Sequence, residues 1–188
     1  MIEIVPYNPG WPDEFRQLAG VLRQGLGGLA LRIDHIGSTS VPGLPAKDVI
    51  DIQVTVAALN DRIVAAMNRV SYTIRVGYDR DHHPPHFTGP DQEWAKLLFK
   101  PPEGQRRTNT HVRVQGRANQ RFPLLFRDYL RAHPPSAEAY AELKRRLAQN
   151  LADLDRYTDT KDPVVDLIMF AAEEWAAATQ WKPGPSDS

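Results

Sequence analysis

Apolar and polar positions change their rhythm several times along the chain, and each change predicts an element. Ile2 to Tyr7 reads as a short strand, and Asn8-Pro9-Gly10 as a turn. After Trp11-Pro12, the positions Phe15, Leu18, Ala19, Leu22 and Leu26 recur at helical spacing, and Gly27-Gly28 ends that helix. Leu31 to Ile36 is a strand. A loop follows from Gly37 to Lys47, punctuated by Pro42, Gly43 and Pro45. Val49 to Val56 alternates. Ile50, Ile52, Val54 and Val56 share one face, while Val49, Asp51, Gln53 and Thr55 share the other. Leu59 to Val70 is an amphipathic helix, and Tyr72–Val76, Trp94–Lys100 and His111–Gln115 are further strands.

From Asn119 the pattern turns helical. Phe122, Leu125, Phe126, Tyr129 and Leu130 mark one helix, stopped by His133-Pro134-Pro135. Ser136 can cap the next, which runs through Tyr140, Leu143 and Leu147. Asp162-Pro163 opens a last helix, with Pro163 in its first turn. Strands first and helices last predict an α+β fold: a mixed sheet with packed helices and a helical C-terminal portion. One domain is expected over 1–182, with its sheet core to about 117 and its helical portion over 118–182. Residues 183–188, Pro-Gly-Pro-Ser-Asp-Ser, read as a frayed tail.

Composition narrows the class of function. A chain of 188 residues with 41% hydrophobic and 24% charged residues is globular and large enough for a core without staples. Its apolar runs are too short to cross a bilayer, and Met1 to Pro6 lacks the basic and apolar regions of a signal peptide, so a cytoplasmic location is expected. The absence of cysteine excludes disulfides, thiolate catalysis and cysteine-ligated zinc or iron–sulfur centres. Net charge is zero, but residues 101–150 carry ten Lys/Arg against four Asp/Glu, and residues 151–188 carry three against eight. Two solvated helical faces would account for this, as would a basic face turned to a polyanionic small molecule. Nucleic acid is not favoured at zero net charge.

Candidate chemistry lies in His35-Ile36-Gly37-Ser38-Thr39-Ser40, the loop behind it, and Lys47-Asp48-Val49-Ile50-Asp51-Ile52. Small residues let phosphate oxygens approach the main chain, and Ser38, Thr39 and Ser40 offer three hydroxyls. Lys47 adds positive charge, and Asp51 projects from the polar face toward whatever the loop holds. A carboxylate beside a bound polyphosphate is where a divalent metal sits. The loop is not a P-loop, since no Gly-Lys-Ser/Thr occurs, and it lacks the glycine spacing of a dinucleotide fingerprint. Arg106, Arg107 and Arg113 can contact phosphates by paired hydrogen bonds, or form a surface charge cluster. His82-His83-Pro84-Pro85-His86 is a solvated tract or a transition-metal tract.

The run His35 to Asp51 resembles the GrpB-like group of the nucleotidyltransferase superfamily. So do Tyr7-Asn8-Pro9-Gly10-Trp11, Asn109-Thr110-His111-Val112, Phe126 to Arg131 with Tyr140 and Lys144, and Tyr157 to Lys161. The resemblance covers roughly residues 2–175 and implies a nucleotidyltransferase-like mixed sheet. It implies that Gly37 and Ser38 contact nucleotide phosphates and that Asp51 is the first of two metal-binding, catalytic carboxylates, with Mg2+ as the metal. The second position falls on Gln53, and on the later strand His111 and Arg113 stand where a third acid would. His111 becomes a ligand contact or general base, and Lys161 a phosphate contact beside Lys47 and Arg113. The implied ligand is a nucleoside triphosphate or another phosphorylated small molecule. Two functions follow: a transferase moving a nucleoside monophosphate to an acceptor, or a non-catalytic nucleotide- or phosphate-binding module with a degraded metal site. A metal-dependent hydrolase using His82, His83, His86 and His111 is a third.

Overall fold

The alternation in residues 49–56 divides the molecule into an apolar half and a polar half. In a computed structural model that describes residues 2–85 and 87–188, this segment is the strand β2 (Ile50–Val56), flanked by β1 (Arg32–Ile36) and β5 (Thr108–Val114). β4 (Leu97–Lys100) and the two-residue β3 (Thr73–Ile74) complete a five-stranded sheet in the order β1-β2-β5-β4-β3. β2 and β5 are parallel, and the other pairs are antiparallel. The sheet is therefore mixed, as the sequence pattern predicts.

One face buries Ile50, Ile52, Val54 and Val56 against two helices, α1 (Trp11–Leu26) and α2 (Asp61–Arg69). Phe15, Ala19, Leu22 and Leu26 bring the apolar stripe of α1 down onto those strands. Asn60 caps α2, its side chain accepting from the amides of Arg62 and Ile63. The register pairs Gln53 with both Asp34 and His111, and Asp51 with Ile36 and Asn109, so the second face carries a polar row.

That polar face is covered by three helices, α3 (Ala118–Ala132), α4 (Pro134–Asn150) and α5 (Leu154–Thr179). Their own core centres on Leu125, Leu130, Tyr140, Met169 and Ala172. Val41 and Leu44 of the β1–β2 loop join this second core, which ties the loop to the helical layer.

Several element boundaries differ from the sequence reading. Residues 2–7 form no strand beyond one bridge, Val5 to Ala46. α4 begins at Pro134, because proline suits the first turn, where its missing N–H is not needed. α5 begins at Leu154, with the Asp153 carboxylate accepting from the Arg156 amide at 2.8 Å. Pro163 therefore sits inside the helix, and its ring removes a donor to the preceding turn.

The segment 183–188 runs along the exposed edge of β1. Ser186 Oγ accepts from the Ile33 amide and donates to the Ile33 carbonyl, at 3.0 and 2.9 Å. The Asp187 carboxylate accepts from the His35 amide at 2.9 Å and from buried Arg127 at 2.7 Å. Arg32 donates to the Gly184 carbonyl. Polar composition suggested fraying, yet those same groups satisfy the open edge of the sheet. Asp187→Ala is expected to cost about 1–3 kcal/mol, the price of leaving part-buried donors unpaired. Urea unfolding measures it, and amide exchange at Ile33 and His35 should accelerate; unchanged exchange would mean that the edge is held without the tail.

Candidate functional site

Between the polar face of the sheet and the helical layer lies a cleft of about 810 Å³. Its floor is Asp51 and Asn109, paired residues of β2 and β5; Asn109 Nδ2 donates to Asp51 Oδ1 at 2.8 Å. Its rim is the turn Gly37–Thr39 that follows β1. Gly37 has a φ of 71°, and a Cβ there would stand 2.3 Å from Asp51 Oδ2. Glycine is thus needed twice, for the backbone conformation and for the approach of the carboxylate.

The three loop hydroxyls do different work. Ser38 Oγ accepts from Lys144 Nζ at 2.9 Å at the cleft rim. The Thr39 hydroxyl lies 2.9 Å from His35 Nε2, and Ser40 Oγ donates to the Gly37 carbonyl at 2.6 Å. Thr39 and Ser40 hold the turn itself; both are buried, and Arg131 clamps the Ser40 carbonyl.

Lys47, Lys144 and Lys161 converge on this floor from the loop, α4 and α5. Lys144 is 3% exposed, donates also to the Pro45 carbonyl at 2.5 Å, and lies over the Tyr140 ring. Burial, together with Lys161, Arg145 and Lys47, pushes its ammonium down to about 7. Lys47 lies over the Tyr157 ring, and burial lowers it too, partly offset by Asp51. Burial disfavours the Lys161 charge, but Tyr140, Asp162 and Asp51 outweigh it and the group is raised. Burial pushes Asp51 up against Asn109 and these lysines, which favour its ionised form. Arg75, Lys100 and Arg107 extend the basic lining outward.

Arg113 borders the same cleft, but four of its five donors are engaged. Nε and Nη2 bind the two oxygens of Asp81 at 2.8 Å each, and Nη1 binds Gln53 Oε1 at 2.8 Å. Lys96 and Asn119 complete the Asp81 carboxylate, at 2.7 and 3.0 Å. Burial alone would raise Asp81; Arg113 and Lys96 instead hold it well below the usual carboxylate range. His111 Nδ1 accepts from Arg113 Nη2 at 3.2 Å, and burial beside that guanidinium keeps the imidazole neutral. Its Nδ1 lone pair is engaged, so in this arrangement the imidazole offers the cleft a donor at Nε2 rather than a base.

Gln53 is fully buried; its Nε2 donates to the Gln120 carbonyl at 2.9 Å, and its side chain does not border the cleft. Asp48 turns toward α1, where it accepts from Trp11 and Arg106. Arg106 is bound there with Glu14, leaving Arg107 to the cleft. His82 lies 3.0 Å from Asp166, and His83 stacks on Trp94; neither borders the cleft where His111 stands, and His86 lies outside the described residues. Among the described residues no group of three or more His, Asp or Glu side chains is placed to hold a metal. One half-buried carboxylate among ammonium groups does not fit Mg2+, which takes hard oxygen donors in a near-octahedral array.

Sequence reasoning did not select Lys144 or Asp81 as site residues. Lys144 had a signal: four residues after Tyr140, it falls on the buried face of an amphipathic helix, where lysine is rare without a partner. Asp81 had none, because it sits in an aperiodic segment and meets Arg113 only in three dimensions.

A mixed sheet with helices on both faces and a cleft beside a Gly-Ser turn defines the class of this protein: an α+β domain built around a cleft lined by basic side chains. Residues 1–170 match the family described as GrpB protein, and the chain belongs to that family. It is 36% identical over 175 residues to a UPF0157 protein of Halalkalibacterium halodurans, covering 91% of this chain and 82% of that one. It is 38% identical over 202 residues to a dephospho-CoA kinase of Mycobacterium tuberculosis (strain H37Rv), covering 96% of this chain. The chain spans 48% of that protein's length, as it does for the other mycobacterial relatives of that name. The crystal structure of the conserved protein GrpB from Enterococcus faecalis superposes with a TM-score of 0.74 at 28% identity, covering 92% of this chain and 99% of that one.

The lowered Lys144 ammonium gives a pH dependence with a definite sign. Bound anion favours protonated Lys144, so affinity for sulfate, whose own charge is fixed above pH 3 or so, should fall as pH rises through about 7. Lys144→Arg should flatten that dependence; a wild-type affinity constant between pH 6 and 8 would show that Lys144 does not face the anion.

Proposed function

We propose that the chain binds a nucleotide or another phosphorylated small molecule through its phosphates in this cleft, without a protein-built metal cluster. The observation that carries this reading is the charge balance: seven Lys or Arg side chains border the cleft against one carboxylate, Asp51. Lysines crowded at one end repel one another, and burial removes the water that would screen them. A polyphosphate relieves both costs. Lys144 and Ser38 form the contact at the turn, Lys47 and Lys161 the contacts beside Asp51, and Arg107 the outer one. Arg113, paired with Asp81, supports the floor and contributes mainly through its charge.

Nucleotidyl transfer is the second reading, favoured by Asp51 beside the Gly37-Ser38 turn and by the resemblance to nucleotidyltransferases. The dephospho-CoA kinase name belongs to proteins about twice as long, and kinase activity is not part of this proposal.

Isothermal titration with inorganic pyrophosphate and with ATP, each with magnesium and with chelator, tests the proposal. Binding should survive the chelator. Lys144→Met should weaken it by about tenfold to over a hundredfold, the worth of a charge-assisted contact of about 1.5–3 kcal/mol. Asp51→Asn removes the single negative charge and should leave binding intact or tighten it. Binding that requires magnesium and collapses in Asp51→Asn would overturn the proposal, and brisk turnover of labelled ATP would support transfer instead.

A further inference from the structure

The three hydroxyls of the turn after β1 are not equivalent. Thr39 and Ser40 are buried, and they bind His35 and the Gly37 carbonyl. Ser38 is half-buried and borders the basic cleft, and its Oγ meets Lys144 Nζ at 2.9 Å. A molecule in the cleft can therefore touch Ser38, while Lys144, 3% exposed, needs to reach only Ser38.

The surroundings of Lys144 are those of a held base. Its Nζ donates to the Pro45 carbonyl at 2.5 Å and lies 4.8 Å from the centre of the Tyr140 ring. An ammonium there donates to Ser38 Oγ. The neutral amine keeps an N–H for Pro45 and turns its lone pair to the Ser38 hydroxyl. Lys161 from α5, Lys47 from the loop and Arg145 from its own helix disfavour the charged form, as burial does, and only Asp51 from β2 opposes them. A serine beside a base that can take its proton is an activated nucleophile.

We propose that Ser38 is a nucleophile with Lys144 as its general base, and that the cleft takes an acyl phosphate whose acyl group passes to Ser38 Oγ. The phosphate end rests on the phosphate reading of this cleft. Phe122, Phe126 and Val165 border the same cleft and suit the acyl end. A carbonyl carbon carries no negative charge to repel the attacking oxygen, and its developing oxyanion gains from the cations of the cleft. Ser38 Oγ bonds to that carbon while its proton passes to the Lys144 amine. The bond from the carbon to the bridging oxygen breaks, and the phosphate leaves with the proton from Lys144. Water then attacks the Ser38 ester, its proton passes through Lys144 to Ser38 Oγ, and the carboxylic acid departs.

Acetyl phosphate is the probe. Wild type should release phosphate from it faster than buffer does, with an acetyl group on Ser38 in the peptide masses of an acid-quenched sample. Ser38→Ala should lose this activity. Lys144→Met should lower the rate by about a hundredfold to ten-thousandfold, the usual worth of a general base. Lys144→Arg keeps a cation in place but cannot take the proton, and should lose the activity too. At saturating acetyl phosphate the wild-type rate should rise as pH rises through about 7, because the neutral amine is the base. Thermal unfolding of each variant checks that the domain still folds. Phosphate release no faster than in buffer, a phosphoryl group on Ser38 in place of the acetyl group, or full activity in Ser38→Ala or Lys144→Arg would overturn the proposal. Pyrophosphate carries no acyl group, so pyrophosphate binding without acetyl transfer overturns this inference alone, whereas failure of the phosphate reading shows as loss of pyrophosphate binding itself.

Discussion

The polar half of this molecule depends on one buried guanidinium. Arg113 is 4% exposed, and burying a guanidinium is costly unless it is paired and hydrogen-bonded. The Asp81 carboxylate provides a two-point pair, which is the geometry in which arginine holds a carboxylate best. Gln53 and His111 take its remaining reach, and Lys96 and Asn119 close the shell around Asp81. Breaking such a pair by removing one member leaves an uncompensated buried charge, at a cost of about 3–5 kcal/mol. Through this contact the long excursion between β3 and β4 is pinned to the middle of the sheet, and the orientation of His111 is set.

The same contact sorts the buried cations of the polar half into two kinds. Arg113 and Lys96 share the Asp81 carboxylate and serve structure. Lys47 and Lys144 have aromatic rings, hydroxyl or carbonyl oxygens around them but no carboxylate within ion-pair distance among the described residues. Burial and the neighbouring cations lower the Lys144 ammonium, and Asp51 offsets them only in part. This imbalance is what the proposed phosphate ligand would relieve.

Much of the fold could be read from the chain, because its signals are periodic. The alternation of Ile50 to Val56 separated the two faces of β2 correctly, and the stripe Phe15, Ala19, Leu22 and Leu26 gave α1 with its buried face. What escaped were features decided by tertiary contact. Pro163 looked like a helix start because local rules favour it there, yet Asp153 caps a start nine residues earlier. The tail looked frayed because its residues are polar, but Ser186 and Asp187 find the open edge of β1. At the cleft, Gly37, Ser38, Lys47 and Asp51 could be selected from one contiguous segment. Lys144, Lys161 and Asp81 come from three other segments, and spacing along the chain does not encode their meeting with it. Lys161 alone of these was reached, through resemblance.

The structure also shows why an acid at position 53 would not by itself make a metal site. An acid at position 53 would not look into the cleft; it would meet the Arg113 guanidinium, which already lies 2.8 Å from Gln53 Oε1. It would be one methylene shorter or carry the wrong atom toward the Gln120 carbonyl, which now accepts from Gln53 Nε2. Arg113 would then have two carboxylates, Asp81 and the new one, and the added charge would be absorbed in an ion pair instead of being offered to a cation. Building a magnesium cluster there would require removing Arg113 as well, which would leave Asp81 with Lys96 and Asn119 as its remaining partners. Gln53, Arg113 and Asp81 therefore form one unit. Their mutual satisfaction keeps the floor of the cleft intact, and leaves Asp51 as the single acid among its cations.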